Sequence, residues 1–311
     1  ATPTWNSIAA PRPAMIHEIF PHKFDNQFKI QEPKPDDFLI CYNGSKTLLK
    51  KAGDNFVIPK FADFASDGSA GFSFAGVGEL ADEKADHEGV AHYLFNIDGK
   101  AYFLHHVEKD FAPPAGYEFV GNRTFRYLPD ITQRLGGATA AHLAHWESLN
   151  KFCGRCGSAT TLGDKERSIV CPECGNTIYP RISPVVIVAV RNGDKLLMAH
   201  NIDNPNPRLF LISGFVEIGE SLEQAAHREV LEEAGIRIKN LRYFGSQPWP
   251  FSDALIAGFT AELDGDDTIR RQETELSEAK WVNREDIAPY ETDVSISCCL
   301  IENFRTGFTP G

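Results

Sequence analysis

Residues 214–236 read GFVEIGESLEQAAHREVLEEAGI, a helix with a turn at each end whose glutamates fall where a helix would normally bury leucines. Ser221 offers an N-cap and Gln224, three residues on, completes a capping box. Gly235 followed by Ile236 supplies a left-handed terminator with its apolar contact, so the helix is expected over about 222–234. At about 100° per residue, Leu222, Ala225 and Ala226 line one face, and the same stripe continues as Glu229, Glu232 and Glu233. Val230, Leu231 and Ala234 give the C-terminal half a separate apolar side. Carboxylates three and four apart repel, more so when partly desolvated, so the stripe calls for positive charge. Arg228, four residues before Glu232, can offset one of them. At least Glu229 and Glu233 then remain to hold hard cations such as Mg²⁺ or Mn²⁺ through oxygen, unless the stripe is simply a solvated acidic face.

The spacing beyond the helix decides between these. It runs Gly214, five residues, Glu220, seven residues, Arg228-Glu229-Val230, one residue, Glu232-Glu233, one residue, Gly235-Ile236. This resembles the Nudix box, GX5EX7REUXEEXGU with U aliphatic, with every fixed position filled. At average residue usage a chance match in a chain of this length is on the order of one in ten million. The resemblance implies a hydrolase for a nucleoside diphosphate linked to another moiety, working with two or three divalent ions. It implies Glu229 and Glu233 as principal metal ligands and Glu232 as a further ligand or base. Glu220 then supports the loop, and Arg228 orients the glutamates. Independently of any family, metal ions neutralise phosphoryl charge and lower the pKa of bound water.

Around the box lie strand signals. PRISPVVIVAVRNGDKLLMAH, from Pro180, carries an apolar branched run, Asn192-Gly193, and a second run over Leu196–Ala199, a strand pair. LFLISGF and ALIAGFTAEL add further strands. The expectation for residues 179–311 is a mixed sheet with helices packed on it, the α/β/α sandwich that the resemblance implies.

Upstream, Cys153 and Cys156 stand two apart, fourteen residues intervene, and Cys171 and Cys174 repeat the spacing, each pair ending in Gly. Two such turns offer four thiolates at tetrahedral distance from one ion, the zinc-ribbon pattern, expected over 151–178. With all four positions Cys, no coordination site is left for water, so the zinc is read as structural and one per chain. Before it, RLGGATAAHLAHWESLNK spaces Ala141, Ala144, Trp146 and Leu149 as a connecting helix over 134–150. Residues 1–133 are rich in Phe and carry short alternating segments such as AHYLFNIDGKAYFLHH, whose Asp98-Gly99 predicts a hairpin. This is a mostly β domain, and its His17, His22, His87, His92, His105 and His106 lack metal-site spacing. The whole chain is thus read as α+β.

Composition narrows the function classes. The chain has 311 residues, 42% hydrophobic and 24% charged, with net charge −12. That charge argues against non-specific attraction to nucleic acid. No apolar run approaches the roughly 20 residues of a membrane span, and no membrane partner is expected. No export signal is visible at the start of the sequence, and four of seven cysteines sit in metal-like pairs, which together point to a reducing cytoplasm.

Ten residues past the box stands SQPWPFSDA, Ser246–Ala254. Two prolines around a tryptophan make a stiff extended segment with an aromatic edge, suited either to stacking on a flat ring or to a packed loop. It is similar to SQPWPFPxS, the mark of the NADH pyrophosphatase subfamily of Nudix hydrolases, which also carries a four-cysteine ribbon and an extra N-terminal domain. Ser252 stands where that pattern has Pro, and Ala254 where it has Ser. The resemblance implies substrate contacts from Gln247, Pro248, Trp249, Pro250, Phe251, Ser252, Asp253 and Ala254, from Tyr179 in YPRISP, and from Phe215 stacking on a ring. It adds Glu275 and the Ser213 backbone carbonyl as metal ligands, aligns Ser297 and Glu166 with substrate-contacting positions, and leaves Arg126 as the one N-terminal candidate. The activity implied is cleavage of the pyrophosphate of NADH and NAD⁺ to nicotinamide mononucleotide and AMP. NAD at the 5′ end of RNA presents the same bond, so cap removal follows from the same geometry. A homodimer is also implied. Two alternatives stand beside this: a Nudix hydrolase for ADP-ribose or dinucleoside polyphosphates, and a nucleic-acid-binding regulator using the ribbon.

Overall fold

The computed structural model describes residues 15–64, 91–289 and 295–307; His87 lies outside them. Two compact units emerge, one of residues 19–181 with 250–253, the other of residues 1–18, 182–249 and 254–311.

In the first unit seven strands form one sheet: β1 (Phe24–Asp25), β2 (Phe38–Asn43), β3 (Lys46–Ala52), β4 (Asn55–Val57), β5 (His92–Ile97), β6 (Lys100–His106) and β7 (Tyr117–Gly121). Their order is β1-β5-β6-β2-β3-β4, with β7 added on β3, and only β2 and β6 run parallel. Asp98 and Gly99, both at positive φ, close the β5–β6 hairpin as their sequence predicts. Leu39, Cys41, Leu48, Phe61, Tyr93 and Phe103 pack a core on this sheet.

Helix α1 (Ile131–Leu149) starts three residues before the expected position. Its cap is Asp130, which accepts from the amides of Thr132 at 2.7 Å and Gln133 at 3.4 Å. The Gly136-Gly137 pair reads locally as a helix breaker, but the Tyr102 and Phe125 rings occupy the space where side chains at these two positions would go. Close packing thus overrides the propensity cost of about 1 kcal/mol per glycine. At its other end Glu147, buried, accepts from His92 Nε2 at 3.0 Å and His106 Nε2 at 2.9 Å. Burial alone would raise its pKa, but the two imidazoles hold it down to about 2. These histidines are structural, as expected of residues without metal-site spacing.

The ribbon follows as three short strands, β8 (Thr161–Leu162), β9 (Ile169–Val170) and β10 (Thr177–Ile178), in the order β10-β9-β8. Arg167 from its distal loop donates to the carbonyls of Leu94 and Asn26, fastening it to the sheet of its own unit.

The second unit is a sandwich. Strands β11 (Ser183–Asn192), β12 (Lys195–Asn201), β13 (Ile212–Phe215), β14 (Ile238–Trp249), β15 (Ala254–Leu263) and β16 (Leu276–Asn283) form a sheet ordered β14-β15-β11-β12-β16, with β13 on β11. β11 and β15 run parallel over nine residue pairs while the other contacts are antiparallel, so the sheet is mixed. Val186, Val188 and Val190 of β11 face one core, shared with α2 (Leu222–Ala234). Ile187 and Ala189 face the other, shared with α3 (Ile296–Arg305). A strand buried on both faces needs a continuous apolar run, which is what VVIVAV supplies. Among the described residues no helix is long and apolar enough to cross a membrane.

Candidate functional site

Helix α2 has the boundaries its sequence predicts. Ser221 Oγ accepts from the Gln224 amide at 3.2 Å, Gln224 returns its side-chain oxygen to the Ser221 amide at 2.8 Å, and Gly235 ends the helix at φ 69°. The faces differ from the simple wheel. Val230 and Ala234 join Ala225 and Ala226 in the core, while Leu231 is half exposed. Of the acidic residues only Glu229 and Glu233 are buried, and Glu232 stays largely in solvent. The helix therefore points two desolvated carboxylates along the edge of its core.

Arg228 organises the charges, though differently from the single i,i+4 pairing expected from sequence. Its Nε and Nη2 grip Glu220 at 2.6 and 2.8 Å, a bidentate fork. Nη1 reaches Glu229 at 2.7 Å and Glu232 at 3.1 Å, and Nη2 also donates to the Phe215 carbonyl at 3.0 Å. The hydrogen bonds from Arg228, with a further one from the Glu217 amide, hold Glu220 down to about 2. One guanidinium thus ties the loop after β13 to the helix that carries the acids.

Among the described residues Glu233 has no cationic partner. Burial, followed by the charges of Glu229 and Glu275, pushes its carboxyl up to about 8, and burial raises Glu229 as well. A buried acidic pair with a third carboxylate, Glu275, in range is a donor set that a divalent cation satisfies and an apolar core does not. Gly214 of β13 makes room for it, since a Cβ there would come within 3.0 Å of the Glu229 carboxylate, closer than Cβ atoms essentially ever come to a neighbour. Ser213, beside it, is exposed and pairs with Ile187, and Phe215 leaves its ring 54% exposed.

The four cysteines converge more tightly. Their sulfurs all lie within 4.8 Å of one another, and among the described residues no other group of three or more His, Cys, Asp or Glu gathers so closely. The two knuckles repeat one geometry: Cys153 N to Ser158 O at 2.8 Å and Gly157 N to Cys153 O at 2.8 Å are matched by Cys171 N to Asn176 O at 2.9 Å and Gly175 N to Cys171 O at 3.0 Å. Hydrogen bonds from Ser158 lower Cys156 to about 6, whereas Cys174, despite a backbone bond to Asn176 that lowers it, is raised to about 12 by burial and by the other sulfurs. Four sulfurs this close cannot all ionise unless a cation sits among them, so the site fits zinc.

The remaining sequence candidates scatter. Gln247 is wholly buried and its side-chain oxygen accepts from the Ile296 amide at 2.6 Å, capping α3. Pro248 and Trp249 end β14, opposite Leu255 and Ala254, and Ala254 is buried. Pro250, Phe251 and Ser252 form a single 3-10 turn, and Asp253 follows. Tyr179 donates to Glu166 at 2.8 Å, so these two are brought together. Ser297 Oγ is buried near the start of α3, and Arg126 lies over the Tyr127 ring at 5.9 Å. Two residues sequence reasoning passed over, His142 and His145 of α1, both meet Asp253; their i,i+3 spacing on a helix was the one available signal.

Residues 181–299 match the NUDIX domain family, and residues 148–179 match the NADH pyrophosphatase zinc ribbon domain. The chain is 38% identical to the NAD-capped RNA hydrolase NudC of Pseudomonas syringae pv. syringae (strain B728a) over 215 residues, 68% of this chain and 76% of the relative. It is 47% identical to the NAD-capped RNA hydrolase NudC of Pasteurella multocida (strain Pm70) over 141 residues, 45% of this chain and 53% of the relative. Among solved structures, a NUDIX hydrolase from Nitrosomonas europaea is 26% identical with a TM-score of 0.44, covering 51% of this chain and 94% of that one.

Proposed function

We propose, from the premise that this chain belongs to the Nudix hydrolases that carry an NADH pyrophosphatase zinc ribbon, that it hydrolyses the pyrophosphate of NADH and NAD⁺ and removes NAD caps from RNA 5′ ends. The observation that carries this reading is the buried acidic pair Glu229 and Glu233, with one guanidinium, Arg228, reaching Glu229, in a chain that also gathers the four ribbon cysteines. Water adds across the P–O–P bridge: its oxygen bonds to one phosphorus, the bridging bond breaks, and the products are nicotinamide mononucleotide, reduced or oxidised, with AMP from the free dinucleotide or a 5′-monophosphate RNA from the capped transcript.

Two or three divalent cations, Mg²⁺ or Mn²⁺, held by Glu229, Glu233, Glu275 and the Ser213 carbonyl, would neutralise the diphosphate and make water a nucleophile near neutral pH. The chain's own residues do the rest. Arg228 fixes Glu220, Glu229 and the Phe215 carbonyl in one frame, so the loop and the acids keep register. Glu232, exposed and bonded to Arg228 through one oxygen at 3.1 Å, would serve as a further ligand or accept the proton that water gives up. Phe215 presents a half-exposed ring for a flat group, and by resemblance to the subfamily the Pro250–Asp253 turn is assigned the choice of what is attached to the diphosphate, with Tyr179 as a further contact.

We infer a reducing cytoplasm as its setting, in keeping with Cys41, Cys298 and Cys299 being buried and in no disulfide, and a homodimer, for which light scattering is the test. The reaction is tested by a panel of NADH, NAD⁺, ADP-ribose, diadenosine tetraphosphate and NAD-capped RNA with each metal, products identified by mass. ADP-ribose has a bare sugar where nicotinamide would stack, so NADH should lead it by roughly 10- to 100-fold in kcat/KM. Equal turnover of ADP-ribose would reassign the substrate. No turnover of any of the five would favour a binding role for the ribbon.

A further inference from the structure

Asp253 ends the loop between β14 and β15 with its backbone at φ 52°, a left-handed conformation that persists in a non-glycine residue only where its surroundings over-determine it. Its carboxylate meets two imidazoles one turn apart on α1. Oδ2 lies 2.9 Å from His145 Nδ1, and Oδ1 lies 3.3 Å from His142 Nε2. A carboxylate only accepts, so the hydrogen bond to Oδ2 assigns a ring hydrogen to Nδ1 of His145, while the Nε2 hydrogen of His142 goes to the Arg181 carbonyl at 2.9 Å and Asp253 Oδ1 is its second, longer neighbour. On its other side the turn borders open space: Tyr42, Asn122, Arg123, His145, Phe251 and Asp253 line a cavity of about 240 Å³. With open space on that side, the hydrogen bond from His145 and the close approach of His142 tie the turn to α1 through Asp253.

We infer that His142 and His145 are positioning residues that, through Asp253, hold the Pro250–Asp253 turn in the one conformation that discriminates the ring attached to the diphosphate. Asp253 accordingly serves as the anchor of the turn, with its oxygens turned to α1 and not to substrate. The inference rests on the reading of this turn as the specificity element of an NADH hydrolase. It also accounts for the departure from SQPWPFPxS: where that pattern stiffens the turn with a third proline, this chain has Ser252, and the histidine clamp on Asp253 supplies the missing restraint.

The test uses the full zinc-loaded chain. Asp253→Gly removes the carboxylate while accepting the left-handed backbone, His145→Ala removes its donor, His142→Ala removes the second imidazole against it, and Asp253→Asn keeps one acceptor as the rescue. Amide hydrogen exchange of residues 251–254 is expected to rise by about tenfold or more in Asp253→Gly and His145→Ala, and to stay within about threefold of wild type in Asp253→Asn. In kinetics, KM for NADH should rise by roughly five- to tenfold in Asp253→Gly, with kcat changed by less than about twofold and KM for ADP-ribose unmoved. Unchanged exchange in Asp253→Gly overturns the clamp, and an equal KM rise for both substrates overturns its role in specificity. A wild-type protein that cleaves no NADH would sink the functional reading alone, because the exchange measurement decides the clamp without substrate.

Discussion

The carboxylate of Glu229 occupies the space that a side chain on Gly214 would need. The glycine that opens the box is therefore a gap in β13, kept empty so that an acid from the facing helix can lie against the strand.

Gly214→Ala should push that carboxylate aside while leaving the sheet paired, because the backbone there is ordinary extended strand. We expect kcat to fall by about a hundredfold with a stability loss of roughly 1–3 kcal/mol from overpacking. Kinetics and thermal melts on the same preparation check it, and near-normal turnover would place Glu229 outside the reaction.

Glu233 gives a pH dependence in metal-free protein. Its folded carboxyl is pushed up to about 8, above the ordinary 4.5, so between these values the unfolded chain releases a proton that the folded one retains. Stability from this group therefore falls as pH rises from about 4.5 to about 8. Melts in EDTA should show that decline, Glu233→Gln should flatten it, and Mg²⁺ should restore stability to wild type but not to the variant. Turnover of Glu233→Gln should drop by at least about a hundredfold.

Glu220 runs the opposite way. Arg228 holds it at about 2, so its contribution is present above about 4.5 and is lost as pH falls toward 2. Glu220→Gln should therefore lower stability above about pH 4.5 and converge with wild type as pH falls toward 2, which melts across that range measure. Arg228→Lys keeps the charge but not the fork, and should lower kcat/KM by about tenfold or more at unchanged zinc content.

How much of this was legible in the sequence follows from how local each signal is. Ser221, Gln224 and Gly235 act within one turn of their own chain, and the helix they bound begins and ends where spacing says. The cysteine knuckles are equally local. Strands β14 and β16 gave no comparable signal because they are the two edges of their sheet, and β14 carries two register shifts that break its alternation. The helix α1 expected from 134 lacks its first three residues, because its start is set by the Asp130 cap on the Thr132 and Gln133 amides. Gln247 sits within a recognisable motif, yet its task as a cap for α3 lies 49 residues away. The Arg228 fork was half visible: its i,i+4 partner Glu232 could be counted, but Glu220 and the Phe215 carbonyl depend on the loop folding back.

Each chain should carry one zinc that survives dialysis, measured by elemental analysis. Cys153→Ser or Cys171→Ser should abolish it and destabilise the ribbon by several kcal/mol, since binding free energy is folding free energy in a site of this kind. Because Arg167 fastens the ribbon to the N-terminal sheet, hydrogen exchange at Leu94 and its neighbours in β5 should quicken as well. A stable, zinc-free double variant would refute the assignment.

The two compact units do not follow the order of the chain: residues 250–253 cluster with 19–181, although the strands on either side of them belong elsewhere. This has a consequence for inheritance. His145 and Asp253 are 108 residues apart, with the whole box between them, and neither does its work alone. A crossover near residue 181, where the ribbon ends, would deliver an intact box and at the same time marry the turn to a stranger's helix. Recombination between relatives is therefore constrained to move His142, His145 and Asp253 together, so that a trait encoded at two distant points passes on as though it were one.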